Sequence, residues 1–303
     1  MCIREYRQDS SPMIDLHTHT TCSDGTSSPE ALVHEACSSG LRAIAITDHD
    51  TLEGFDAARP LARQQGLELI CGLELSTRLD GGPGCRRTTA HVLGYFLNQM
   101  PPPDFREWLK TISATRHERN LKLMAHLNAK GLALEWDDLP LPPHALGRVH
   151  FARVLAAKGH VPDQGRAFAL HLSDEALARI QRKLPTLAEG VERISRAGGL
   201  TSLAHPVRLP FRGPRELHSI VQEMADGGLQ AVEVYHSDHN GEDTDRFLKL
   251  ANELSLLVTG GSDYHGENKP NVFLGKGRGN LSVAYTVLEK MKRFACVGNP
   301  PLH

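Results

Sequence analysis

Short apolar runs recur along this chain, most of them paired with a helix-length amphipathic stretch, and histidines or carboxylates stand close to the ends of most of them. The runs are Met13–His17, Leu41–Ile46, Leu67–Ile70, Ala90–Phe96, Leu200–Ala204, Ala231–Tyr235 and Leu256–Thr259. Between them the spacing predicts a helix opened by Ser27 and Glu30 at capping-box separation, with Leu32, Val33, Ala36 and Cys37 on its apolar face and Gly40 as its stop. Further helices are expected near Glu53–Gln65, Leu187–Ala197, Arg215–Ala225, Asp243–Leu254 and Val283–Phe294, and a turn at Asp80–Gly84. Strands alternating with helices of this size indicate βαβ units and a parallel sheet. The most economical closure is an α/β, TIM-like barrel, which keeps its chemistry at one set of strand ends.

The interval 99–183 breaks the rhythm. It opens on Pro101-Pro102-Pro103, continues as a long charged helical pattern from Phe105 to Lys130, and is interrupted at Pro140, Pro142 and Pro143. We read it as a mostly helical insertion, a substrate lid, between a first barrel part (13–98) and a second (184–296). It holds 13 Lys and Arg against 9 Asp and Glu, a net +4, while the whole chain of 303 residues carries −2. A basic lid suits an anionic substrate, and a solvated helical face would give the same count. The near-neutral total excludes a global drive toward long nucleic acid or an anionic membrane. No run approaches the roughly 18 apolar residues of a membrane span, and Met1–Arg7 lacks the apolar core of a signal peptide. Six scattered cysteines form no CxxC pair, so reduced thiols in a cytoplasm are expected. Cys22 sits in a His-rich loop, where a small loop residue is the better reading than a ligand.

Nine residues of metal-binding type fall close to the ends of these runs: His17, His19, Asp24, His49, Glu74, His91, His205, Asp263 and His265. His17 and His19 are two apart on an extended segment, which turns both imidazoles to one side. Imidazoles with carboxylates suit first-row divalent ions, and a carboxylate such as Glu74 can bridge two of them. Their joint occurrence at successive strand ends points to a multi-metal hydrolase. Asp48 and Asp50, either side of His49, would orient it or shape its loop.

The runs Asp15–Gly25 (DLHTHTTCSDG), Thr47–Asp50 (TDHD), Ala204–Pro206 (AHP) and Ser262–His265 (SDYH) resemble the four motifs of the polymerase-and-histidinol-phosphatase (PHP) family. The resemblance implies a distorted (β/α)₇ barrel with three divalent ions, manganese favoured, with magnesium, iron or zinc as alternatives. Carried over by position, His17, His19, Glu74 and Asp263 would hold one ion. Glu74, His91 and His205 would hold the second, and Asp24, His49 and His265 the third. Asp263, His205 and His236 are the candidates for direct parts in catalysis, the two histidines as sources of the leaving group's proton. A hydroxide shared by the ions would attack phosphorus, with no Ser or Cys nucleophile.

Within the family, the insertion after Ala90–Tyr95, the stretch Gly147–Arg153 and the segment Glu233–His239 resemble stand-alone phosphoesterases typified by 3′,5′-nucleotide bisphosphate phosphatases. That implies removal of a 3′-phosphate from a small anionic nucleotide, with basic groups of the insertion on the other phosphate. Arg148, His150 and Arg153 are the candidates, with Arg116 and Arg119, at i and i+3 of one helix, behind them. The alternatives are 5′→3′ trimming of short RNA, hydrolysis of another phosphomonoester such as histidinol phosphate, an amidohydrolase reaction, or a non-catalytic, metal-stabilised binding protein. No obligatory protein partner is evident.

Overall fold

The computed structural model describes residues 13–79, 88–173 and 175–298. The first barrel part comprises β1 (Met13–Thr18), α1 (Pro29–Ser38), β2 (Ala43–Ile46), α2 (Glu53–Gln65), β3 (Glu68–Leu79) and β4 (Thr88–Phe96). The insertion carries α3 (Pro103–Ala129), α4 (Arg148–Ala157) and α5 (Gln164–Ala167). The second part runs α6 (Leu187–Arg196), β5 (Leu200–Leu203), α7 (Pro214–Asp226), β6 (Ala231–His236), α8 (Gly241–Glu253), β7 (Leu257–Gly261), β8 (Val283–Ala284) and α9 (Tyr285–Gly298). The strands form one sheet in the order β7-β6-β5-β4-β3-β2-β1-β8. It curls shut where the Asp263 N–H donates to His17 O (2.8 Å) and the His19 N–H to Tyr264 O (2.9 Å).

Period-two alternation explains how the barrel fills. Ile14, Leu16, Ala43, Ala45, Ile70, Leu93, Tyr95 and Ala231 form one cluster with Leu288 and Met291 of α9. The alternate residues Ile44, Ile46, Leu73, Leu75, Val92, Val232 and Val234 pack on the outside with Leu32, Phe55, Val191, Val221 and Phe247 of the surrounding helices. Small residues on β2's inner face leave room, and α9 closes the floor. Past that apolar floor the inward positions become polar: Ile70 leads through Gly72 to Glu74, and Ala231 to Glu233.

Several expectations need correcting. The sheet is mixed: β4 runs antiparallel to both β3 and β5. The run after Leu67 does not stop at Ile70 but continues as a 12-residue strand, so Glu74 lies in mid-strand rather than at its end. A β3–β4 ladder pairs Ser76 with His91, and antiparallel pairing needs no helical crossover. Ser28, not Ser27, caps α1, because its side chain accepts from the Ala31 N–H. Val283 and Ala284 pair with β1 before α9 begins. The expected turn at Asp80–Gly84 lies outside the described residues. The insertion has its own core, in which Leu123 and Leu127 of α3 meet Leu146, Phe151, Leu155 and Leu172. Among the described residues no helix is long and apolar enough to cross a membrane.

Gly261 sits at the closure of the barrel, where an added Cβ would collide with the backbone nitrogen and Cβ of His17. Gly261→Ala should therefore cost about 1–3 kcal/mol of stability. Thermal melts would show this as a fall of several degrees; an unchanged midpoint would mean that this seam tolerates separation.

Candidate metal centre and anion cavity

Glu74 organises the centre. Its Oε1 lies 2.7 Å from His91 Nδ1 and 2.8 Å from His205 Nε2. Its Oε2 lies 3.3 Å from His17 Nε2, 3.1 Å from His19 Nε2 and 3.2 Å from His49 Nδ1. One carboxylate thus faces five imidazoles, split between its two oxygens as a bridging ligand requires. Asp263 Oδ1 adds a second acid, 3.5 Å from His17 Nε2 and 3.4 Å from His19 Nε2. Asp24 stands 3.2 Å from His265 Nε2 and 3.6 Å from His49 Nε2.

All nine sequence candidates for metal binding therefore come together. The geometry sorts them into overlapping clusters able to hold ions: His17, His19, Glu74 and Asp263; His49, Glu74 and His91; and His19 with Asp24, His49 and His265. His205 joins through Glu74 Oε1 rather than through a cluster of its own. The resemblance did not suggest that His19 reaches the Asp24 side.

The donors fit divalent cations on an independent ground. His17 Nε2, His19 Nε2, Asp24 Oδ1 and His49 Nδ1 are buried without a hydrogen-bond partner, a cost of about 1–3 kcal/mol each unless something binds there. Histidine tautomers aim the same way: His17 Nδ1–H donates to Glu233 Oε1 (2.8 Å) and His265 Nδ1–H to Asp263 O (2.8 Å), leaving each Nε2 for the centre. Without cations the clustered charge settles on protons instead. Burial opposes protonation of His19, but the nearby carboxylates of Asp263, Glu74 and Asp24 outweigh it and lift the pKa to about 9. His17 is likewise raised, against burial, by Glu233, Glu74 and Asp263. Burial holds His49 and His205 down to about 3.

Backbone strain collects here too. Asp50, His205 and Asp263 have φ of 60°, 28° and 57°, a region that costs non-glycine residues of order 1–3 kcal/mol and clusters at functional sites.

Glu233 is the clearest residue that the sequence reading missed. It is fully buried, binds His17 through Oε1 and accepts the His205 N–H through Oε2 (2.7 Å), so it positions two candidate ligands. The available signal was alternation: on β6, Ala231 points inward, so Glu233 must too. Asp48 does not orient His49; it accepts from Thr20 N (2.7 Å) and Ser23 Oγ (2.6 Å) and so shapes the His19 loop. Burial pushes the Cys22 thiol up to about 11, in keeping with a plain loop residue. His236, a candidate for the leaving group's proton, stands beside Asp263 and does not line the cavity. Its Nδ1 accepts from Asp238 N, so Nε2 carries the hydrogen toward Asp263 Oδ2, 3.3 Å away.

A cavity of about 370 Å³ opens from the centre. Arg116, Arg119 and Arg148 line it, joined by Arg182, Arg208 and Lys269, which nothing in the sequence pattern had distinguished. Arg116 and Arg182 share the buried Asp50, at 2.8 and 3.0 Å. Arg208 and Lys269 both bind Asp263 Oδ2. Arg119 is buried, its Nε lacks a hydrogen-bond partner, and burial together with Arg116, Arg182 and Arg148 drives its pKa well down. His150 and Arg153 do not line the cavity: His150 accepts the Gly147 N–H and meets Asn268, and Arg153 pairs with Glu267 at 3.6 Å.

A TIM-like barrel with clustered imidazoles and carboxylates beside a basic cavity defines a metal-dependent hydrolase of phosphoester bonds. The PHP domain matches residues 15–165. The chain is 31% identical over 281 residues to a 5′-3′ exoribonuclease of Haemophilus influenzae, covering 92% of this chain and 98% of that protein. It is 30% identical over 258 residues to a 3′,5′-nucleoside bisphosphate phosphatase of Chromobacterium violaceum, covering 83% and 87%. Its fold matches a protein of Bifidobacterium adolescentis assigned as a metal-dependent phosphoesterase, with a TM-score of 0.79 and 29% identity over 97% and 99% of the two chains. The chain belongs to the PHP domain family.

Two outcomes follow from the proton-loaded centre. Since His19 is protonated below about 9, metal binding at pH 7.5 should release protons and tighten as pH rises, which calorimetry in buffers of different ionisation enthalpy would measure. In chelated protein the His19 contribution to stability is full below the unfolded value of about 6.5 and lost as pH rises through about 9. The melting midpoint of chelated protein should accordingly fall over that window more than that of metal-loaded protein.

Proposed function

We propose that this chain removes the 3′-phosphate from nucleoside 3′,5′-bisphosphates with the help of three divalent ions, manganese by preference. The observation that carries the reading is the charge imbalance of the cavity. The guanidiniums of Arg116, Arg119 and Arg182 line it together with Arg148, and among the described residues Arg116 and Arg182 share a single carboxylate, Asp50. A second phosphate with about two negative charges would offset that excess, and guanidinium forks suit it. Similarity to a bisphosphate phosphatase over most of the chain supports the same substrate class.

His17, His19, Glu74 and Asp263 would hold the first ion, Glu74, His91 and His205 the second, and Asp24, His49 and His265 the third. When bound, the ions supply an activated water for attack on phosphorus and offset charge on the phosphate oxygens. The chain's own groups do the rest. Glu233 fixes the His17 tautomer, and His236 steadies Asp263. Arg208 and Lys269, both at Asp263 and both lining the cavity, would bind the oxygens of the reacting phosphate. The insertion, taken as residues 99–183, serves as the lid that carries the basic cluster, tied down through Arg116 and Arg182 at Asp50.

A second reading, 5′→3′ trimming of short RNA, draws on similarity to an exoribonuclease over nearly the whole chain. Gel analysis of 5′-phosphorylated oligomers would separate it from the first.

Metal-loaded protein should release inorganic phosphate from adenosine 3′,5′-bisphosphate, chelation should abolish this, and manganese should restore it. His19→Ala should lower the rate by roughly 100-fold or more, as loss of an ion-holding group does. Arg119→Ala should raise KM about tenfold or more with a smaller change in kcat, as expected for a lost charged hydrogen bond. Brisk turnover of histidinol phosphate with none of the bisphosphate would overturn the assignment.

A further inference from the structure

The charged side chains of the cavity account for two phosphates, yet part of its lining is apolar. Val149, Phe168, Leu177 and Ile180 of the insertion, with Leu184 just after it, make up this part. Among the described lining residues Phe168 is the one bearing a phenyl, phenol or indole ring.

Its local structure is unusual. Phe168 begins a π-helical turn, Phe168–Leu172, directly after α5. Such wide turns are rare, shift side chains out of the ordinary helical register, and recur at functional sites. This one is tied to the anion region, because Arg148 Nη1–H donates to Leu172 O at 2.9 Å. The same arginine that lines the basic part of the cavity therefore fixes the turn that presents the ring. Phe168 is half-buried: it packs against the insertion core yet remains in the cavity wall.

We infer that Phe168 is the platform on which the substrate's nucleobase stacks, with Leu177 and Ile180 completing an apolar base subsite. This rests on the nucleotide reading above and goes beyond it, since that reading assigned only the phosphates. A nucleoside bisphosphate places its base off the sugar that joins the two phosphates, and the apolar side chains line the same cavity as both sets of cations. Stacking uses a π-face that every base has, so the subsite discriminates nucleotides from base-less phosphates more than one base from another.

The experiment compares steady-state kinetics of the full-length, manganese-loaded protein on adenosine 3′,5′-bisphosphate and on the base-less methyl riboside 3,5-bisphosphate. Phe168→Ala should raise KM for the nucleotide roughly 5- to 150-fold, the effect of removing stacking worth about 1–3 kcal/mol. The change on the base-less compound should be several-fold smaller. Phe168→Leu, which preserves apolar packing against the insertion core, should behave like alanine, whereas Phe168→Trp should keep KM near that of the parent. Equal losses on both substrates, or full recovery with leucine, would show that the ring serves only as packing and would overturn the inference. Parent turnover of the nucleotide with Phe168→Ala unaffected would overturn the base subsite alone. Failure of the parent protein on both bisphosphates would remove the nucleotide reading, and the subsite with it.

Discussion

A single buried carboxylate, Glu74, with five imidazoles within 3.3 Å of its two oxygens, is the interaction on which the rest of the structure turns. Such a group is expensive to bury, because neither carboxylate nor imidazolium keeps its water. In the cation-free protein the cost is offset by protons drawn onto His17 and His19, and divalent ions would offset it better. The surrounding architecture can be understood as the means of holding that congestion in place. Glu233 and Asp15 anchor β1 to the closing end of the barrel, and the strained backbones at His205 and Asp263 persist because both flanks are pinned.

A second carboxylate, Asp50, couples this centre to the insertion. It follows His49 directly, its N–H donates to Glu74 O, and it accepts from Arg116 and Arg182. The first of these arginines lies in the middle of α3 and the second near the end of the insertion, so two separate parts of the insertion are registered against the segment next to β3, which carries Glu74. Several guanidiniums share this cavity, and among the described residues the buried Arg119 Nε has no hydrogen-bond partner. Phe168 and other apolar side chains line the same cavity as these cations.

Much of this was legible beforehand. Each of the nine candidate ligands occupied a position at or near the end of an apolar run, and α2, α3 and α6 to α8 start and stop within about two residues of their sequence limits, an uncertainty normal for helix ends. What escaped were features set by strand pairing. The antiparallel course of β4 and the length of β3 follow from a ladder between residues that read locally as ordinary alternating strand. Arg182, Arg208 and Lys269 looked like any exposed cation, since a charge shows its partner only in three dimensions. His150 and Arg153 looked like anion ligands by composition, but the first turn of α4 and the neighbouring Asn268 claim them.

The sequence by itself determined the chemical inventory, the barrel rhythm and the basic insertion, because residue type and hydrophobic period are local properties of the chain. Only the tertiary structure decided which imidazole meets which oxygen of Glu74, which cations gather in the cavity, and that a phenyl ring lines the same cavity. Those outcomes depend on contacts between segments more than 200 residues apart, such as His17 with Glu233 across 216 positions. No local pattern encodes a distance of that kind; the closure of the barrel sets it.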